Sequence, residues 1–346
     1  MKRILTLAAT VALSWSCSPK ADNPYEYRAP KFKHSHSANV HLLNDKALLN
    51  TPWNMWVFDS VVIINTQSAE NDGQFQLFSA TDGAAIGHFG YEGRGENELL
   101  DYIRCSVNPR EKSLCVIDQK GAKLEVDLQT IARGAKPTMK LSKMVGLPSA
   151  LHYYHWGDRL LSMGHINPRI TLTNGSATDT LSSYNDFPRV TPDIDENISA
   201  KVYYFIQSSS YAVAPDGSKI CHTTRNGMTM EIFDVEKTGH ISLRRTRNFF
   251  PAKMQSAMRA ADDCVRGFIR TKATDKYIYA LYNDATCADK ETLPKLSVFN
   301  WKGDEVCQYL LDVDVIDFAI TEDGSRAYCW AENADGEEYL GYFDLK

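Results

Sequence analysis

Short apolar runs recur along the chain in pairs, each pair hinged on a tight-turn signal. Met55-Trp56-Val57-Phe58 leads into Asp59-Ser60 and then Val61-Val62-Ile63-Ile64. Cys105-Ser106-Val107 is followed by a turn near Glu111 and by Ser113-Leu114-Cys115-Val116-Ile117. The third pair is His152-Tyr153-Tyr154 and Arg159-Leu160-Leu161-Ser162, around Gly157-Asp158. The fourth hinges on Asp216-Gly217 and the sixth on Asp323-Gly324; between them Phe268-Ile269-Arg270 and Tyr277–Leu281 flank Asp275. β-Branched and aromatic residues dominate these runs, as strands require. Asp-Gly between two of them is a strong short-range hairpin signal.

The turns at residues 59, 111, 157, 216, 275 and 323 repeat about every fifty residues. Each unit carries a second strand pair, beginning at Gln74, Lys123, Arg169, Met230, Lys295 and Tyr339. Four short strands per unit, six times over, predict an all-β, six-bladed β-propeller over residues 39–346. A lone four-stranded sheet cannot bury both faces, whereas sheets stacked radially can. The last unit has only three clear strands, so Val40-His41-Leu42-Leu43 is expected to supply the fourth and close the ring. The composition of residues 251–264, with Pro251 at its start and Ala, Met, Gln and Lys within, predicts a short helical insertion.

A hydrophobic fraction of 43% and 17 tyrosines fit a β-rich core. The net charge of −5 gives no electrostatic case for a nucleic-acid partner. Lys2-Arg3 followed by the apolar run Ile4–Leu13 reads as a signal peptide over residues 1–16. It ends at Ser14-Trp15-Ser16-Cys17, and Cys17 is the expected lipid-attachment site of a bacterial lipoprotein. An ordinary cleaved signal with an incidental cysteine is the alternative. Residues 17–38, polar and proline-containing, are expected to be the lipidated tether. The expected location is the cell envelope, anchored to the outer membrane and facing the periplasm or the exterior. The other seven cysteines contain no C-x-x-C, which favours buried thiols, with one internal bridge as the alternative.

The run Phe89-Gly90-Tyr91-Glu92-Gly93-Arg94-Gly95-Glu96-Asn97-Glu98-Leu99 resembles a glycine-rich segment of the TolB-like six-bladed propeller lipoproteins of Bacteroidetes-type bacteria. Thr274–Tyr282 and Leu296–Gly303 also look like that family. Glu96 stands where the family usually has proline, and Leu99 where it has an aromatic. The resemblance implies a propeller and an envelope lipoprotein, and no particular reaction.

No G-x-S-x-G, H-E-x-x-H or Walker loop is present, so catalysis is not the favoured reading and no cofactor is expected. Counting back from each hairpin turn to the rim of the channel points to Arg104, Gln207, Arg266 and Asp314 as ligand-binding candidates. Arg94 and Glu98 in the glycine-rich loop are further candidates, with a structural ion pair as the alternative. Two arginines facing one funnel suit a small anionic ligand, because guanidinium pairs with carboxylate in bidentate geometry. Polar lining of a water-filled channel is the plainer account. Asp312 and Asp314 alternate along a strand, so Ca²⁺ is an alternative occupant and solvation the favoured one. The leading expectation is an envelope-anchored binding or protein-interaction scaffold. The alternative is a lactonase-like hydrolase or lyase, Ca²⁺-dependent, acting at the channel mouth.

Overall fold

The computed structural model describes residues 26–45, 52–66, 73–91, 93, 98, 104–118, 121–135, 139–144, 146–147, 150–164, 168–188, 210–256, 259–289 and 292–346. Six antiparallel sheets form a ring, each beginning with a hairpin at a predicted turn. The innermost strands are Pro52–Phe58, Arg104–Asn108, His152–Trp156, Ser210–Val213, Phe268–Ala273 and Asp314–Ile320. They open blades one to six in that order.

The core lies between blades. Each of six apolar clusters joins one blade to the next, and Met55, Val62 and Ile64 of blade one pack against Tyr328, Trp330 and Leu340 of blade six. Second strands therefore bury both faces. In Val61–Thr66, Val61 and Ile63 face blade two while Val62 and Ile64 face blade six, and all six residues are buried. That double burial explains runs that are apolar throughout instead of alternating.

The Asp-Gly turns are docking points between blades. Gly217 takes φ +71°, and the indole of Trp156 from blade three lies where its Cβ would be. Gly324 repeats the arrangement in blade six, beneath the hydroxyl of Tyr279 from blade five. Only glycine accepts both the left-handed backbone and the overlying ring.

The ring closes as expected: His41–Asn44 pairs antiparallel with Glu338–Asp344 and completes blade six. The tether expectation needs correction at its C-terminal end. Arg28 donates its backbone N–H to Asn248 O at 2.9 Å, and Phe32 meets Phe299 edge-on at 5.5 Å between ring centroids. Ser35–Ala38 then adds to blade five as a fifth strand, parallel to Gln308–Leu311. Alternation carries this: Phe32, His36 and Ala38 turn inward while the residues between them stay exposed.

The predicted helix over 251–264 is also overturned. That stretch holds a two-stranded ladder, Met254–Ser256 against Arg259–Ala260. Its ends are tied by Ala261 N–H to Lys253 O at 2.9 Å and Lys253 N–H to the Cys264 sulfur at 3.3 Å, bonds a helix would not make. Helix occurs among the described residues at Leu128–Ala132, where the Asp127 side chain caps Gln129 N–H.

Candidate functional site

The six inner strands line a central channel of about 680 Å³. Trp53, Trp56, Tyr153 and Tyr211 supply aromatic wall, and Arg104, Arg270 and Lys272 supply cations. Acidic residues of the hairpin turns, among them Asp59, Asp275 and Asp323, border the other end.

Lys272 reaches across this channel. Its Nζ donates to Met55 O of blade one at 3.0 Å, sits 5.5 Å from the centroid of the Trp56 ring, and lies 3.8 Å from Asp317 Oδ1 of blade six. Burial, with the neighbouring Arg270 charge, pushes the ammonium pKa down against the opposing pull of Asp317. Arg270 Nε is 3.6 Å from Asp317 Oδ2, and neither atom has a hydrogen-bond partner although both are buried. Cys105 of blade two turns its thiol to Asn65 Oδ1 at 3.7 Å, and burial pushes the thiol pKa up against the pull of Lys272.

Of the sequence candidates, Arg104 lies in the channel wall. Arg266 precedes the inner strand of blade five, where its backbone bridges Asn226 and its Nη2 donates to Cys287 O at 3.0 Å. Asp314 stands opposite Glu332; burial and that like charge raise its pKa, while Arg266 pulls it back. Arg266 and Asp314 thus meet at the face where the inner strands begin, beside Arg225. Burial, Arg270 and Arg266 depress the Arg225 guanidinium. Glu98 folds its carboxylate against Gly93, a contact within the glycine-rich loop. Cys17, Arg94 and Gln207 lie outside the described residues. Asp312 accepts the backbone N–H of Val40 at 2.9 Å and so serves ring closure. Among the described residues no three His, Cys, Asp or Glu side chains converge as metal ligands.

Three central residues escaped the sequence count. Arg270 and Lys272 alternate on one inner strand, which was the available signal, but counting back to the rim from the turn at Asp275 passes over both to Arg266; the register shift between Phe268 and Arg270 lies beyond them and puts those two residues on opposite faces. A second shift, between Val315 and Asp317, brings Asp317 onto the face of Asp314 although the two are three residues apart, since their partners Glu332 and Trp330 alternate regularly.

Behind the channel wall lies a buried charged network. Tyr211 packs on His222 at 4.6 Å between ring centroids, and His222 Nδ1 is 3.1 Å from Glu231 Oε2. Arg169, fully buried, ion-pairs with Glu231, donates Nη1–H to Asp186 O at 2.7 Å and stacks on Phe233.

Residues 31–323 match the family described as TolB-like 6-blade propeller-like. The chain belongs to that family. No curated protein is a detectable relative of the sequence. Among solved structures, the chain is similar to a Bacteroides fragilis protein designated as exported. Identity is 12% and the TM-score 0.53, covering 90% of this chain and 98% of that one. The WD40 repeats of RRP9 match at 10% identity and a TM-score of 0.46, over 93% of this chain and 100% of that one. In this TolB-like propeller Lys272, Arg270 and Asp317 lie on two of the six inner strands.

Proposed function

We propose that this protein is an envelope-anchored lipoprotein whose propeller is a binding module, taking a small anion with an apolar or aromatic body into its central channel. The observation that carries the reading is the meeting of cations and aromatic wall in one channel: Arg270 and Lys272 of one inner strand and Arg104 of another line it together with Trp53 and Trp56. Arg270 Nε is buried in its 3.6 Å ion pair with Asp317, while a third of the side chain stays exposed, and this outer part of the guanidinium would donate to a ligand carboxyl group. The rings of Trp53 and Trp56 would cover its apolar part. Arg104, from the facing side of the ring, would supply the counter-charge.

Envelope location is supported by the charged and apolar N-terminal segment ending at Cys17 and by the exported designation of the Bacteroides fragilis relative. The anchor reading is tested by fractionation: Cys17→Ala releases the protein from membranes into the soluble envelope fraction. Detection of wild type in the soluble fraction would sink it. The ligand reading is tested by calorimetry with phenylacetate, indoleacetate and sulfate. The arylcarboxylates bind and Arg104→Gln weakens them tenfold or more. Absence of heat with all three, or binding unchanged in Arg104→Gln, overturns the channel as an anion site.

A further inference from the structure

We infer that Cys264 and Cys287 are a disulfide-forming pair that staples the lobe between blades four and five beside the channel mouth. Backbone register carries the inference. Val265 and Thr286 form an antiparallel bridge, so Cys264 falls directly opposite Cys287. Cys287 donates its N–H to Cys264 O at 2.8 Å, and two residues along Arg266 donates to Ala285 O at 2.8 Å. That spacing puts Cys264 and Cys287 at a hydrogen-bonded position of the bridge with one of its two bonds made, Cys264 N–H donating to Ala261 O instead; residues opposed in this way have Cα atoms ~5.5 Å apart. The same separation is the usual one for cystine. Directly opposed residues of a ladder also point to the same side.

The other described cysteines have no such partner. Cys105 pairs with Val116 and Cys115 with Ser106, which puts those two thiols on opposite faces of one hairpin. Cys221 faces Ala212 and Ile232, Cys307 faces Val298, and Cys329 faces Phe318 and Gly341. Access is asymmetric within the pair: Cys264 is buried and Cys287 half-buried. Cys287 is therefore the thiol that meets an external disulfide first.

The oxidant is a small disulfide, RSSR. The Cys287 thiolate attacks one sulfur and releases one RSH, giving a mixed disulfide. Cys264, giving up its proton to solvent, then attacks the Cys287 sulfur and expels the second RSH. Overall two protein thiols and one RSSR become one protein disulfide and two RSH. The product closes a loop around the first hairpin of blade five. It also fixes the Cys287 carbonyl that holds Arg266 Nη2 at 3.0 Å.

The full chain, purified reduced, is equilibrated with oxidised glutathione, then unfolded, alkylated with N-ethylmaleimide and mapped by peptide mass. Two fewer cysteines take the label, and one linked peptide pair joins Cys264 to Cys287, lighter by two hydrogens than its reduced components. Cys287→Ser abolishes the link and Cys105→Ser preserves it. The thermal midpoint rises by a few degrees on oxidation in wild type and stays put in Cys287→Ser. The inference is overturned if all thiols remain labelled, if Cys287 stops at the glutathione adduct, or if the bridge joins other cysteines.

Discussion

Lys272 Nζ hydrogen-bonds the Met55 carbonyl at 3.0 Å, joining blade five to blade one across the channel instead of through blade six. Its other polar neighbour is the buried Asp317. Replacing Lys272 with Met keeps the stem over Trp56 while removing the charge and leaving the Met55 carbonyl without this donor. The cost expected in urea unfolding is about 1–3 kcal/mol, the range for hydrogen bonds to charged groups.

The same lysine sets an alkaline signature. Its folded pKa lies below the 10.5 of an ordinary solvated lysine. Over the window between the two, the unfolded chain holds more protons, so raising the pH favours the folded state. Wild type is expected to gain stability relative to Lys272→Met as pH climbs toward 10.5. Equal slopes for the two proteins across pH 8–10.5, measured by urea unfolding, would contradict the depressed ammonium.

Glu231 gives the acid counterpart. Burial raises its carboxyl, but Arg169 and His222 pull it further the other way, leaving it below the 4.5 of an ordinary solvated glutamate. Its stabilisation is complete above the unfolded pKa and is lost as pH falls through the folded one. Glu231→Gln leaves the Arg169 guanidinium buried without its counter-charge, at a cost of about 3–5 kcal/mol at neutral pH. The difference from wild type narrows on acidification below pH 4.5, which chemical denaturation at stepped pH reads directly.

Gly217→Ala and Gly324→Ala should differ in size. Both positions have left-handed backbone, at φ +71° and +73°. At Gly217 the added methyl meets the Trp156 indole, held between blades, and overpacking joins the backbone strain for about 2–4 kcal/mol. At Gly324 it meets only the Tyr279 hydroxyl, 2.7 Å away, with the rest of the ring at 3.9 Å or beyond, so the backbone strain dominates and about 1–2 kcal/mol is expected. Thermal unfolding of the two variants orders them.

These glycines show why the architecture was legible before the coordinates. A turn that must be Asp-Gly for steric reasons recurs at the same place in two blades, and it sets the register of everything between. The second strands were legible because inter-blade packing buries both of their faces. The site was less legible because the count back from each turn aims at the rim and passes over Arg270 and Lys272, and because the one-residue shift at Val315/Asp317, which puts Asp317 on the face of Asp314, leaves no trace in composition. The segment 251–264 misled for a different reason. Its residues favour helix locally, but Gly227 brings its backbone against Ala252, where a Cβ would sit 2.5 Å from the Ala252 nitrogen, and tertiary contact overrides propensity.

The N-terminal strap offers a last test, since two separate contacts could close the ring. His41–Asn44 completes blade six, whereas Arg28–Ala38 runs over blades four and five and adds a parallel strand. If the strap is part of the propeller, Phe32→Ala removes a half-buried ring from the cluster around Phe299 and costs about 1–2 kcal/mol. Asp312→Ala, which frees the Val40 N–H where the strap turns toward blade six, costs about 1 kcal/mol. The two substitutions release the strap at separate points, Phe32 over the Phe299 cluster and Val40 at Asp312, so their effects are expected to add. A chain starting at residue 39 keeps the blade-six strand and loses the rest; its unfolding midpoint falls further than that of Phe32→Ala. If Phe32→Ala and the shortened chain unfold like wild type, residues 28–38 are a tether after all and the ring is held by His41–Asn44 alone.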